Sequence, residues 1–158
     1  MKLIEFKKIY FELQKKHSLP SFDDMNSSFD IGRIRRDSGN ILRDVRRTMI
    51  EKIIYYIKLV EVMINPSQAS PVFLMLLKEI NSDDKKVIDS VLNSFVELEI
   101  ISHKLDVVSK DSEEGKLINQ TYSVWDKKSE DVMHLINILE RNLLKTNLPN
   151  KKSRDYFN

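Results

Sequence analysis

The chain has no cysteine, three glycines, four prolines and a single tryptophan in 158 residues. Without cysteine there is no disulfide, thiol nucleophile or thiolate metal site, and the composition fits a reducing cytoplasm. So few glycines and prolines cannot furnish the many turns of a β-sandwich or barrel. A dominant charge is missing as well. The 26 basic and 24 acidic residues leave a formal +2, so any attraction to nucleic acid or an anionic surface has to be local. No uncharged run approaches the roughly 20 apolar residues of a membrane span. Even the most apolar stretch, from Ile50 to Ile64, holds Glu51, Lys52, Lys58 and Glu61. Glu5, Lys7 and Lys8 interrupt the N-terminal apolar residues, so no signal peptide is read there. A cytoplasmic protein without membrane contact is expected. Phosphate-cradling glycine loops, zinc-protease motifs and nucleophile elbows do not occur.

What the chain does have is helical periodicity. Leu3, Phe6, Tyr10 and Leu13 predict a helix from about Lys2 to Lys16, ended by the segment before Pro20. Ser21 to Ser27 reads as a polar loop. Ser28 to Ile64 reads as one helix of two unlike halves: the first is rich in arginine, and the second is apolar on nearly every side. A helix apolar all round must be buried on more than one face, which places it in the middle of the assembly. Gly32 and Gly39 fall within this segment and read as points of close packing or ligand approach. Pro71 after Ser70 starts a short apolar helix to Ile80. The next helix runs from Asn81 to about Val108, with Val87, Val91, Leu98, Ile101 and Leu105 on its main stripe and Val96 and Ile100 opposite. Ser109 to Gly115 reads as a turn. The last helix carries Ile118, Tyr122, Trp125, Val132, Ile136, Leu139 and Leu143 on one face and stops before Pro149. The expected fold is all-α, an up-and-down bundle of four main helices plus one short helix. Residues 1–149 form a single domain and 150–158 a loose tail.

The arginines are the leading candidates for function. Arg33, Arg36, Asn40, Arg43 and Arg47 fall on one helical line, while Arg35 and Arg46 flank the apolar arc. Guanidinium forks match phosphate oxygens, so Arg35, Arg43, Arg46 and Arg47 are candidates for binding a nucleotide-like anion. Asp37, Asp44 and Glu51 lie on an adjoining line. They could instead pair with Arg33 and Arg47 at helical spacing and make a solvated, self-paired face. Histidine is scarce. Asp131 with His134 and Glu99 with His103 do not complete the Glu-x-x-His pattern of a di-metal bundle, so no metal is expected. The run from Asp24 to Asp30 imitates a calcium loop but has Phe29 where the glycine belongs and Arg35 where the bidentate glutamate belongs. Trp125, Tyr55 and Tyr56 read as core or interface residues.

The segment from Ile31 to Ile53 resembles small uncharacterised archaeal helical proteins. The plan of long antiparallel helices is similar to the cobalamin adenosyltransferase bundle. That family binds ATP between the subunits of a trimer, through an N-terminal Thr-Gly-Asp-rich loop and an Arg-rich helix. Arg43, Arg46, Arg47 and Glu51 loosely echo the helix, and the loop has no counterpart here. No catalytic residue and no cofactor follow from the likeness. The leading expectation is a non-enzymatic binding or assembly protein, homo-oligomeric through its apolar helix faces, with Ile57 and Val96 in the interface. A nucleotide-like anion-binding bundle, adenosyltransferase-like enzyme or sensor, is the alternative, and weak nucleic-acid binding the second.

Overall fold

A computed structural model of the chain describes residues 2–34, 39–78, 80–108 and 110–145, the Gln68 side chain excepted. The fold is an all-α bundle with no strand among these residues. Its helices are α1 (Leu3–His17), α2 (Phe22–Phe29), α3 (Ile41–Ile64), α4 (Pro71–Leu76), α5 (Ser82–Val107) and α6 (Asp111–Lys145). Two 3-10 turns, Ile31–Arg33 and Pro66–Gln68, join α2 to α3 and α3 to α4. The four main helices read from the sequence are α1, α3, α5 and α6, and the short one is α4. Arg35, Arg36, Asp37, Ser38, the stop before Pro149 and the tail 150–158 lie outside the described residues.

Three long helices, α3, α5 and α6, pack against one another. Ile53, Ile57 and Val60 of α3, Val91, Phe95 and Leu98 of α5, and Leu117, Val132 and Leu135 of α6 form their shared core. A smaller second core, built on Phe6, Tyr10, Met25, Phe29 and Ile31, seats α1 and α2 against Leu42, Val45 and Met49 of α3 and Ile118 of α6. Helix α3 therefore has neighbours on several sides, as its all-round apolar character requires. Ile57, expected at an interface between copies, is buried in the intrachain core, and Val96 is partly buried against it.

The expected single helix from Ser28 to Ile64 is broken. Helix α2 ends at Phe29, and Asp30 adopts the left-handed conformation as its C-cap, at φ 53° and ψ 42°. Gly39 has φ 73°, and the Asn40 side chain then caps α3 by accepting from the Arg43 amide. Gly39 thus belongs to the helix break and not to a packing contact: a Cβ placed there would meet nothing within 4 Å.

The expected loop from Ser21 to Ser27 lies almost wholly in α2. Ser21 caps it by accepting from the Asp24 amide at 3.1 Å, and the inward residues Phe22, Met25 and Phe29 keep helical spacing despite the polar residues between them. The expected turn from Ser109 to Gly115 is likewise mostly helix. Helix α6 begins at Asp111, with Asp111, Glu113 and Glu114 in the first turn, where carboxylates suit the helix dipole. Gly115 sits in α6 against the end of α1: a Cβ there would stand 3.0 Å from both Cβ and Nδ1 of His17. The buried line of α6, Leu117, Ile118, Thr121, Val132, Leu135, Ile138 and Asn142, is turned by about one residue from the apolar stripe read in the sequence. Polar Glu114, Thr121 and Asn142 share that line, which is why hydrophobicity alone misplaced it. The Asn142 amide donates to the Leu76 carbonyl at 2.7 Å and ties down the end of α4.

Candidate functional site

Among the candidate arginines, the described residues bring Arg43, Arg46 and Arg47 together at one end of the bundle. Arg35 lies outside the described residues. These three arginines occupy the first two turns of α3, where a helix dipole disfavours cations. Carboxylates from α5 and α6 compensate. Arg46, only 1% exposed, donates from Nε to Glu114 Oε2 at 2.6 Å and from Nη2 to Asp106 Oδ1 at 2.7 Å. Its Nη1 donates to Ser102 Oγ at 2.5 Å and more distantly to the Ser102 carbonyl at 3.4 Å. Arg47, half-exposed, donates twice to the same Asp106 oxygen, at 3.0 and 3.3 Å. Arg43 Nε lies 3.7 Å from Glu114 Oε1, close enough for charge attraction but not for a hydrogen bond.

Burial would lower the Arg46 pKa, but its bonds to Asp106 and Glu114 outweigh that and raise it above the ordinary value. The hydrogen bond from Arg46 in turn holds the Asp106 carboxyl below the usual carboxylate range. The expected pairing of Arg47 with Asp44 and Glu51 along α3 is therefore not what forms. Arg47 turns to α5, and Glu51 instead approaches Arg33 at 3.6 Å. The guanidinium of Arg46 joins three helices and has its donors engaged inside the protein. Ser102 and Asp106, one turn apart on α5, and Glu114 were not singled out from the sequence. Their i, i+4 spacing and the acidic first turn of α6 were the available signals.

Elsewhere, the exposed His134 has its Nε2 3.1 Å from Oδ1 of the buried Asp84 in the first turn of α5. No group of three or more His, Asp or Glu among the described residues could hold a metal ion, and no helix there is long and apolar enough to cross a membrane.

A concave surface lies around α1 and α2. Helix α1 buries Phe6 and Tyr10, and Tyr10 donates its hydroxyl to the Pro20 carbonyl at 2.9 Å. Burial, then the Asp24 charge, pushes the Tyr10 pKa well up. The outward face of α1 is not simply polar. Ile4, Lys7, Lys8 and Phe11 share it at helical spacing and, with Phe22 and Asp23 of α2, line a groove of about 450 Å³. Lys7 Nζ stands 4.5 Å from the Phe22 ring centre and Lys15 Nζ 4.3 Å from that of Phe11. A smaller concavity follows toward the 3-10 turn, sharing Lys7, Phe22 and Asp23 with the first and reaching Asp30 and Arg33. Ile4 and Phe11, at i, i+7, were legible in the sequence, but the stripe of Leu3, Phe6, Tyr10 and Leu13, whose last three residues face inward, drew the reading to the opposite side.

Beyond Arg33 lies a niche whose floor is Lys52. Its ammonium donates to the Ser28 carbonyl at 2.5 Å, capping the last turn of α2, and stands 4.2 Å from the Trp125 ring centre and 5.7 Å from that of Phe29. Burial lowers the Lys52 pKa. Tyr56 packs on Trp125 at 5.5 Å and Tyr55 packs edge-on against Tyr56 at 5.2 Å, so the two tyrosines, read as core or interface residues, form one wall of the niche. No protein-family model, curated protein or solved structure matches the chain.

Proposed function

We propose that the chain is a non-enzymatic binding module, and that the α1–α2 groove takes an acidic, amphipathic helix from a partner protein. The observation that carries this reading is an apolar floor and a lysine rim in one concavity. Ile4 and Phe11 are 73% and 55% exposed there, beside Phe22, Lys7 and Lys8. Helix-in-groove recognition uses apolar anchors one and two turns apart, and the lysines favour carboxylates flanking those anchors. Asp23 is the opposing charge. It pairs with Lys7 at 3.9 Å in an exposed contact, of the kind worth only about 0–1 kcal/mol, so a partner carboxylate can replace it.

A nucleotide-like anion on Arg35, Arg43, Arg46 and Arg47 is the weaker reading, since Glu114 and Asp106 already compete for the last three of these guanidinium groups. Self-association would need a surface beyond Ile57, which is buried. The exposed Val72, Leu74 and Met75 of α4 and Leu144 of α6 are available for it.

The test is a selection of displayed helical peptides on the wild-type protein, followed by titration of the winners against a Lys8→Glu/Phe11→Ser variant. Both substituted side chains are exposed, and circular dichroism checks that the variant stays folded. The expected winners carry Asp or Glu beside Leu or Phe at helical spacing, and their affinity falls about tenfold or more in the variant, roughly 1.4 kcal/mol. Winners without that pattern, or equal affinity for the variant, would overturn the proposal. So would a groove-dependent response to oligothymidylate, to phosphatidylserine vesicles, or only to a second copy in sedimentation velocity.

A further inference from the structure

The niche floored by Lys52 has a chemistry of its own. Lys52 and Arg33 come from different elements, α3 and the first 3-10 turn, and converge on a concavity of about 320 Å³, within the lower range of small-molecule pockets. Lys52 is fixed on one side by the Ser28 carbonyl and by the Trp125 and Phe29 faces. Those faces attract cations, and the protein's own ammonium already occupies them, so a cationic ligand would meet repulsion where an anion would meet a positioned charge. Among the described residues the counter-ion of Arg33 is Glu51, at 3.6 Å with both side chains more than half exposed, a pair that an incoming anion can displace. Tyr55 is 67% exposed, yet its ring is braced by Tyr56, which rests in turn on Trp125. A braced, exposed ring offers a stacking surface at little entropic cost. Asp30 and Glu51 also line the niche and would accept hydrogen bonds from N–H or O–H groups of a ligand. A bare inorganic anion would meet those carboxylates and gain nothing from Tyr55.

We infer that this niche is a second binding site, for a small ligand that joins a phosphate or carboxylate, directly or through a short linker, to a flat ring carrying N–H or O–H donors. The anion lies between Lys52 and Arg33, the ring stacks on Tyr55, and the donors face Asp30 and Glu51. The site is separate from the peptide groove and does not depend on it.

The chain's only tryptophan, Trp125, touches Lys52 and serves as the reporter. Its emission is followed during titration with adenosine monophosphate, 4-hydroxybenzoate and inorganic phosphate. The expected result is a saturable change with at least one ring-bearing probe and a response about tenfold weaker or more for inorganic phosphate. Affinity for that probe falls by a similar factor in Lys52→Met and in Tyr55→Ala, falls by a smaller factor in Arg33→Gln, and is unchanged in Lys8→Glu/Phe11→Ser. Lys52→Met also removes a cap from α2, so Tyr55→Ala and Arg33→Gln, both at exposed positions, keep the test valid if that variant unfolds. The inference is overturned if neither ring-bearing probe changes Trp125 emission at about 10 mM, a concentration that would detect even binding on the order of −3 kcal/mol. Unchanged affinity in both Tyr55→Ala and Arg33→Gln overturns it too, as does inorganic phosphate binding as tightly as the ring-bearing probes.

Discussion

Glu114→Gln should be among the most damaging conservative substitutions in this protein. Glu114 is fully buried and accepts from Arg46, which is itself 1% exposed, and it lies within charge-attraction distance of Arg43. Glutamine keeps the shape but removes the charge that balances a dehydrated guanidinium. Breaking one side of a buried ion pair costs about 3–5 kcal/mol. For a chain of this size that corresponds to a fall in Tm of about 6–20 °C. Asp106 remains to pair with Arg46, which favours the lower part of the range.

Replacing both partners, as Arg46→Met with Glu114→Leu, should recover much of the loss. Asp106 keeps Arg47, and the partly exposed Arg43 can reach water. The assay is urea denaturation followed by Trp125 emission and helical circular dichroism, across the two single variants and the double. The coupling energy between the single losses is expected to exceed about 2 kcal/mol. A Glu114→Gln loss below about 1 kcal/mol would place the pair in the class of surface ion pairs and refute the dehydrated network.

The acid limb of stability follows from Asp106. The hydrogen bond from Arg46 depresses its folded pKa, so its stabilising contribution is present above the unfolded carboxylate range, near 3.8, and is lost as pH falls through the lower folded value. Asp106→Asn should therefore flatten the decline in stability below about pH 4 while lowering the plateau at neutral pH, and an unchanged acid slope would contradict this. Gly115→Ala should destabilise even though alanine is the better helix former by about 1 kcal/mol, because its methyl would lie 3.0 Å from the His17 Cβ. A Tm equal to or above wild type would show that α1 moves aside freely. Gly39→Ala should cost about 1–2 kcal/mol from the left-handed backbone alone, and Gly39→Asn less, as read by denaturant midpoints. Tyr10→Phe should lose about 0.5–1.5 kcal/mol by leaving the partly buried Pro20 carbonyl without its donor, and no loss would mean water satisfies that carbonyl.

Legibility in the sequence divides along one physical line. Helix type, the position of α4, the start and end of α5 and the central place of α3 follow from spacing and caps, which are local properties. Asn81, accepting from two amides of the first turn of α5, is such a signal, and so is Ser70 before Pro71. The break between α2 and α3 was missed although its signals are local: Asp30 is of a type that tolerates the left-handed region, and Gly39 has φ 73°. Helix α2 itself was hidden by its polar residues, although Phe22, Met25 and Phe29 kept the period.

The charged residues show the limit more sharply. Composition and spacing identified an arginine-rich α3 and offered two explanations for it, an anion clamp or a self-paired surface. The bonds that form do not run along α3: Arg46 bonds Ser102 and Asp106 of α5 and Glu114 of α6, more than fifty residues away in each case. Lys52, one among many lysines in sequence, stands out only once Trp125 is folded against it. The sequence alone determined that the chain is helical and where its long helices lie, because helical periodicity and caps depend on neighbours within a turn or two. Which charges meet, and which cations are left facing a concave surface, was decided by tertiary structure. A Coulomb or hydrogen-bond partner is selected by distance in space, and spacing along one helix carries no information about another.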